Sequence, residues 1–292
     1  MPYDQDFIPG VRIPLPALSD ELRASAFAAG APIEHTRFSI VFNQIRGFAV
    51  LTAHNVDGNS IIGEGTIKRK SFVLDPDVPR HIQVTDKRGY HKNPWDRGHL
   101  VRRRSLHWGN VNQATTADRE SSYWTNIAPQ HERLHDTAWG EIEDFIFDIA
   151  DDDNRRAAVF QAPVLTPRDP EHQNKPDREP IQIPAGFWKI IAIRHKSELR
   201  AAAFLVWQRD FDKPEPETFD PVLEQVRVTT IEFLTGLTFP QVLRDADPFH
   251  FSPTRTASLS ARARRGRAPQ TRSAPPPQTR PTFIRSASDI CL

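Results

Sequence analysis

A short run of residues, Asp96-Arg97-Gly98-His99, combines side chains that could cleave a phosphate ester. A histidine titrates near neutral pH, so His99 could remove a proton from water as a general base. The guanidinium of Arg97 can bind a phosphate through two parallel hydrogen bonds, and Gly98 allows a close approach of backbone or substrate. By itself the run is equally typical of an exposed basic loop with an ordinary surface histidine.

Further basic residues lie on both sides of this run, with Lys68–Lys70 before it and Arg102–Arg104 after it. Local basic clusters of this kind indicate a polyanionic ligand. The candidates for binding phosphate are Arg69, Lys70, Arg102 and Arg103. A solvated strand end would account for the first of these two clusters equally well.

The clearest helix in the sequence is predicted over Asp136–Ala150. Apolar residues recur there with a period of 3.6, and Asp136 is a suitable N-cap. Several β-rich runs predict strands, and their short connections predict antiparallel hairpins, which gives an α+β fold class. The predicted strands are Thr36–Asn43 with Gly47–His54, Ala158–Leu165, and Phe187–Arg194 with Arg200–Gln208. A later helix is expected near Thr229–Leu237 and a surface loop over residues 166–184.

Composition excludes several classes of protein. The 292 residues contain no apolar stretch near the roughly 20 residues that span a bilayer, so no membrane partner is expected. The N-terminus lacks the basic and apolar regions of a secretory signal peptide, which predicts a cytoplasmic protein or one exported by a non-standard route. A single cysteine, Cys291, excludes an intramolecular disulfide framework and a cysteine-based zinc finger.

Charge and composition divide the chain near residue 250. Residues 251–292 contain eight arginines, one aspartate and no lysine or glutamate, and they are rich in serine and proline. Such a segment buries too little apolar surface to offset the entropy of ordering, so we predict a disordered basic tail over 251–292 after a domain over 1–250. The tail would either attract polyanions or serve only as a solubilising extension.

Three motifs in a fixed order resemble those of the DNA/RNA non-specific endonucleases, which are ββα-metal (His-Me finger) nucleases. The motifs are D-R-G-H at residues 96–99, T-N-I-A-P-Q at residues 125–130 and W-x-x-x-E at residues 139–143. The resemblance covers most of residues 36–210. It implies antiparallel sheets with a ββα-metal core, in which a strand ends at His99, a second strand carries Tyr123–Asn126 and the predicted helix packs across them.

The same resemblance implies the chemistry of the site. His99 would be the general base, with Arg97 and Glu143 as further catalytic residues and Asp96 and Asn126 as supporting ones. One divalent metal ion would assist hydrolysis of DNA and RNA phosphodiesters and leave 5′-phosphates. Glu143 would act through a metal-bound water, because eight residues of helix rise about 12 Å and separate it from the first helical turn.

The metal position departs from the family pattern. His135 stands where the family has an asparagine. An amide oxygen suits Mg²⁺, whereas an imidazole suits Mn²⁺, Co²⁺, Ni²⁺ or Zn²⁺. The substitution implies a changed metal preference, a ligand role for Asp136, or a weakened site. Ser105 and Arg119 also replace residues common in the family.

Other functions remain open at this level. The chain could be a catalytically weakened relative that binds nucleic acid, or an interaction protein that uses its basic tail. His131 and His135, with His107 or His91, could instead form a structural zinc site if the helix began earlier. A nuclease also calls for control by an inhibitor or regulatory partner, and the family resemblance raises the prospect of a homodimer.

Overall fold

The computed structural model describes residues 1–91, 93, 95–131, 134, 139–140, 142–144, 146, 155–195, 197–208, 223–249, 282–283 and 290. Within this part of the chain, an antiparallel sheet of eight strands organises the molecule. Its strands are β2 (Ile33–His35), β3 (Phe38–Asn43), β4 (Phe48–Asp57), β7 (Arg156–Val164), β10 (Gly186–His195), β11 (Glu198–Trp207), β12 (Leu223–Val226) and β14 (Thr282–Phe283). They are arranged in the order β14-β12-β11-β10-β7-β4-β3-β2. The two predicted hairpins and the Ala158–Leu165 strand are therefore confirmed.

Side chains alternate between the two faces of this sheet, as strand geometry requires. Along β10, Phe187 and Ile191 pack on one face, while Trp188 and Ile190 pack on the other. Both faces of the sheet are covered, so nearly all of β10 is buried. This burial explains why its sequence is almost continuously apolar. The exception in this apolar run is Lys189, which is also buried.

One face of the sheet carries the layer that contains the candidate site. Two strands, β5 (Trp95–His99) and β6 (Ile127–His131), form an antiparallel ribbon, and α2 (Val111–Ser121) lies between them in sequence. Residues 139–140, 142–144 and 146 are helical and are named here the Trp139 helix. Its buried residues Trp139, Ile142 and Ile146 belong to the same apolar core as Phe187 and Ile191.

The opposite face is covered by the N-terminal residues and by two short helices, α3 (Val228–Thr235) and α4 (Gln241–Ala246). The helix expected near Thr229–Leu237 is thus confirmed as α3. A first short helix, α1 (Asp20–Ser25), follows β1 (Ala17–Leu18), which pairs with β13 (Leu237–Thr238). This layer supports the sheet from behind, away from the candidate site.

Two local expectations were wrong. Residues Tyr123–Asn126 are not a strand: Tyr123 makes an isolated bridge, a 3-10 turn covers Trp124–Asn126, and the strand begins at Ile127. Within that strand, Pro129 lies opposite Arg97, which is allowed because both strands of a two-stranded ribbon are edges. The segment 166–184 contains a small hairpin of β8 (Glu171–His172) and β9 (Ile181–Gln182).

Parts of the predicted tail and helix fall outside the described residues. Within 251–292, Thr282–Phe283 pair with β12, and Ile290 packs against the core; the rest of that segment is not described. The domain boundary at residue 250 stays a prediction. Asp136, the expected N-cap, also lies outside the described residues. Among those described, none of the helices combines the length and hydrophobicity that a bilayer-crossing segment needs.

Candidate active site

A polar cleft of about 1090 Å³ opens between the β5–β6 ribbon, the Trp139 helix and the loop around residues 62–72. The loop 62–72 forms one wall, and its residues Glu64, Gly65 and Arg69 are exposed. The residues predicted for chemistry converge on this cleft. Its lining includes Arg69, Asp96, Arg97, His99, Arg102, Arg103 and Glu143.

His99 closes β5 and is partly buried at the cleft. Its ring packs against Phe72, with centroids 5.3 Å apart. The guanidinium carbons of Arg97 and Arg69 lie 5.6 Å and 5.8 Å from the same phenylalanine ring. Phe72 therefore gathers the predicted base and two predicted cations around one aromatic side chain.

The backbone of the D-R-G-H run is fixed by its pairing with β6. Gly98 lies opposite Ala128, and a Cβ at residue 98 would overlap the buried Gln130 side chain. This close packing explains the glycine between Arg97 and His99. Arg97 Nε also pairs with Asp86 Oδ1 at 3.0 Å, while Asp96 is exposed along the cleft.

Asn126 supports the loop after His99 from inside the protein. Its Oδ1 accepts a hydrogen bond from Val101 N at 2.8 Å, and its Nδ2 donates to Val101 O and Ser121 O. The residue is fully buried, so its role is to hold the turn that leads out of His99. These side-chain bonds to backbone groups hold a 3-10 turn at the position where a strand was expected, and Asn126 O also accepts a backbone hydrogen bond from Leu100 N at 2.8 Å.

Glu143 extends from the Trp139 helix into the cleft and faces two cations. Its Oε1 accepts a hydrogen bond from Lys189 Nζ at 3.0 Å, and its Oε2 lies 3.6 Å from Arg102 Nε. The Glu143 side chain is 16% exposed, whereas that of Lys189 is 2% exposed. Burial lowers the pKa of Lys189, and the neighbouring carboxylate of Glu143 opposes that shift.

The predicted phosphate-binding arginines are partly engaged within the protein. Arg102 Nη1 donates to Asp144 Oδ1 at 2.7 Å, in addition to its approach to Glu143. Arg103 Nε donates to the buried Asp118 Oδ1 at 2.8 Å, and His107 Nε2 lies at 2.8 Å from the same oxygen. The structure thus brings both arginines to the cleft but already paired with carboxylates.

The second upstream candidate, Lys70, is exposed and lies outside the cleft lining, unlike its neighbour Arg69. The predicted metal ligand, His135, falls outside the described residues. His131 lies in β6 with its ring against Trp95, so the helical spacing required for a zinc site with His135 does not hold.

A second group of side chains could hold a metal by residue type and proximity. Ligand atoms of His35, Asp75 and Asp77 lie within 4.8 Å of one another. The buried Asp75 carboxylate already accepts hydrogen bonds from Thr125 Oγ1 at 2.7 Å and Asp77 N at 3.0 Å, and it lies 3.2 Å from His35 Nε2. None of these three residues lines the cleft.

Sequence reasoning missed Lys189, Phe72, Asp118 and the helix α2. A lysine inside the apolar run Phe187–Arg194 was a visible signal for a buried charge, because lysine is rarely buried unless paired. The α2 sequence is polar and lacks an apolar stripe, so periodicity gave no indication of a helix. Asp118 gave no signal by type or spacing.

The chain is similar to several known proteins. The family described as DNA/RNA non-specific endonuclease matches residues 20–246. The uncharacterized protein y4fB of Sinorhizobium fredii is 33% identical over 274 residues, covering 85% of this chain and 40% of that protein. Mitochondrial nuclease EXOG of Xenopus laevis is 26% identical over 63% of this chain and 51% of its own, and the human protein is 24% identical over 73% and 58%.

A solved structure is also similar, that of the EndoG/EndoGI complex, described as showing the mechanism of EndoG inhibition. It has a TM-score of 0.54 and 16% identity, and covers 73% of this chain and 86% of that chain. This likeness concerns the fold, a mixed helix and antiparallel-sheet architecture of the ββα-metal type. The chain spans about half the length of the curated relatives it matches. Because the family match extends over residues 20–246, the chain belongs to the DNA/RNA non-specific endonuclease family.

Proposed function

We propose that this chain is a metal-dependent nuclease that hydrolyses phosphodiester bonds in DNA and RNA and leaves 5′-phosphates. The observation that carries the proposal is the placement of His99 in a cleft that also contains Arg69, Arg97 and the carboxylate of Glu143. A partly buried histidine at the end of a strand can receive a proton from water within a site lined by cations.

In this proposal each side chain has one task. His99 takes the proton of the attacking water, and Phe72 keeps the imidazole at its place in the cleft. Arg97 and Arg69 offset the charge of the phosphate, with Asp86 orienting the Arg97 guanidinium. Asp96 and Asn126 support this end of the ribbon.

A divalent cation in the cleft would be held by Glu143 and His135. Glu143 faces the cleft, and both of its oxygens lie beside cationic nitrogens, so it would act on the ion through water rather than as a direct ligand. His135 is the proposed direct ligand, on the basis of its sequence position. When bound, the ion would stabilise negative charge on the scissile phosphate and on the leaving oxygen.

Sequence specificity is expected to be low. The cationic groups of the cleft suit phosphate oxygens, and contacts to phosphate carry no direct information about base sequence. DNA and RNA are the proposed substrates because the family acts on both. An inhibitor or regulatory partner and a homodimer are proposed with them, the former in line with the inhibited EndoG complex.

A metal-screened cleavage assay tests the function. Chelator-stripped protein receives plasmid DNA or a long RNA with Mg²⁺, Mn²⁺, Co²⁺, Ni²⁺ or Zn²⁺ in turn. We expect cleavage that is strongest with Mn²⁺ or Co²⁺, because an imidazole at residue 135 suits these ions. In His135→Asn the preference should move toward Mg²⁺.

The matched control is His99→Ala, for which cleavage should fall by about 10²–10⁴-fold while nucleic-acid binding is kept. Unchanged cleavage by a clean His99→Ala preparation would rule out His99 as the base. Binding without cleavage by the wild type under every metal would instead identify a relative that binds nucleic acid without cutting it.

A further inference from the structure

The W-x-x-x-E spacing of the Trp139 helix places two side chains against one buried lysine. Residues four apart lie on the same face of a helix, so Trp139 and Glu143 point in the same direction. Lys189 rises from β10 to meet both: its Nζ lies 3.0 Å from Glu143 Oε1 and 4.5 Å from the centroid of the Trp139 ring. One ammonium thus joins the helix to the sheet through an ion pair and a cation–π contact.

Burying the Lys189 ammonium inside the sheet costs free energy unless the charge is paired. The side chain is 2% exposed, and β10 lies between β7 and β11 inside the sheet. Replacing a buried ion pair by apolar residues of similar size is often neutral or stabilising, so such a pair is weak evidence for a stabilising role. Its location beneath the cleft gives it a different use.

The contacts of Glu143 indicate what that use is. Arg102, the second cation beside the carboxylate, is 31% exposed on its side chain and also binds Asp144, so it is held from the solvent side. Lys189 is held from below by a central strand and by the ring of Trp139. The rigid partner of Glu143 is therefore Lys189, and the orientation of the carboxylate in the cleft follows from it.

We propose that Lys189 is a positioning residue of the nuclease site, whose buried ammonium fixes the Glu143 carboxylate in the cleft. This rests on the proposed function, in which Glu143 takes part in the reaction. Lys189 does not itself reach substrate, because the sheet and the Trp139 ring enclose it. Removing its charge should slow turnover while leaving substrate binding nearly unchanged.

The test compares Lys189→Met, Glu143→Gln and the double variant on one DNA oligonucleotide, with kcat and KM measured at saturating metal. For Lys189→Met we expect kcat to fall by about 10–100-fold, as when a group that orients a metal-site residue is lost. KM should change less than about twofold, since ground-state binding is left intact. The double variant should be no slower than Glu143→Gln alone, because Lys189 acts through Glu143.

A matched control separates positioning from mere stability. Arg46 and Asp169 form another partly buried ion pair, outside the cleft. Arg46→Met should lower the melting temperature and leave the kcat of folded protein unchanged. If Lys189→Met behaves in the same way, or if the losses in the double variant add, the lysine is only structural and the proposal is overturned.

A second lysine variant and an NMR signal of the lysine test the same contact. If Lys189→Met does not fold, Lys189→Gln replaces it with the same expectation, and wild-type kcat in that variant would overturn the proposal. Independently of activity, the ¹⁵Nζ signal of the Lys189 ammonium, identified by its loss in Lys189→Arg, should exchange slowly and move in Glu143→Gln. If the wild type does not cleave but this signal behaves as expected, the contact exists and the proposed function has failed; an unmoved signal overturns the contact itself.

Discussion

The cleft around His99 and the cluster around Asp75 both place a carboxylate beside basic or polar partners, yet they differ in how those groups are used. In the cleft, Glu143 is partly exposed, and its cationic partners hold it at the edge of solvent. In the cluster, the Asp75 side chain is completely buried, and its oxygens accept from Thr125 and from the Asp77 amide. Residue types alone would nominate both groups as metal sites; the exposure of the two carboxylates separates them.

The cluster nevertheless serves the cleft. Val73 bridges to Tyr123, Val73 N donates to Ser122 O, and Trp124 N donates to Val73 O. Asp75 fastens the same segment to Thr125. The segment carries Phe72, which contacts His99, so the closed cluster anchors one side of the open site. The comparison shows that a buried carboxylate can anchor a segment of the cleft wall without itself lining the cleft.

The largest effect should come from Asp75→Asn, and it should fall on stability. The amide offers one acceptor oxygen where the carboxylate offers two, so a buried group loses its partner, which typically costs about 1–3 kcal/mol. We expect the free energy of unfolding in urea to fall by that amount, with kcat per folded molecule within about threefold of the wild type. A loss of kcat with stability unchanged would reverse the roles assigned to the two regions.

The same variant has a defined pH signature. Burial alone would raise the pKa of Asp75, but the hydrogen bond and charge of His35 and the Thr125 hydroxyl lower it below its ordinary value. The pair therefore contributes stability above the unfolded-state pKa of about 3.9, and this contribution is lost as the pH falls through the lower folded-state pKa. In Asp75→Asn, the free energy of unfolding should therefore decrease less than in the wild type as the pH falls through this range.

The next effect should come from Glu143→Gln, and it should fall on activity. The amide keeps the shape of the carboxylate but not its charge, so kcat should drop by about 10–100-fold. Asp144→Asn is the matched control, because Asp144 is the adjacent acidic residue, contacts the same Arg102 and has a side chain that is 58% exposed. Equal losses in both variants would mean that the charge of the cleft matters and the position of Glu143 does not.

A smaller effect concerns His54, which lies in β4 and is buried on the sheet. Burial and the charge of Lys189 lower the pKa of His54 to about 3. Between pH 6.5 and 3 the unfolded chain binds a proton that the folded chain does not, so stability falls as the pH decreases through this window. Denaturant unfolding at pH 7 and pH 5 should show a difference about 2 kcal/mol smaller in His54→Leu than in the wild type. An unchanged difference would mean that His54 does not titrate as described.

Much of this architecture could be predicted from the sequence. The β-rich runs with short connections predicted both hairpins, and the 3.6-residue apolar period over Asp136–Ala150 predicted the Trp139 helix. Family resemblance located His99, Arg97, Asp96 and Glu143 in one cleft. These predictions rested on local sequence patterns, which can be recognised without knowledge of tertiary contacts.

What failed or was missed depended on partners distant in sequence. Asn126 was expected in a strand, but its amide bonds to Val101 and Ser121 make a turn more favourable there. The phosphate-binding role of Arg103 stays a prediction, and no local pattern indicated that Asp118 from α2 pairs with this arginine. Lys189 lies 46 residues from Glu143 in sequence, and no local pattern indicates that pairing.

The smallest effect should come from Asp77→Asn. This variant tests whether the cluster of His35, Asp75 and Asp77 binds a metal ion. Asp77 is exposed, and its backbone amide, which the substitution retains, is the group that binds Asp75. We expect Mn²⁺ to raise the melting temperature of the wild type and of Asp77→Asn equally, because ligand binding stabilises only through the site that takes the ligand. His135→Asn is the matched control and should alter that shift. A shift lost in Asp77→Asn and kept in His135→Asn would place the ion between His35, Asp75 and Asp77 and would end the distinction drawn between an open reactive region and a closed supporting one.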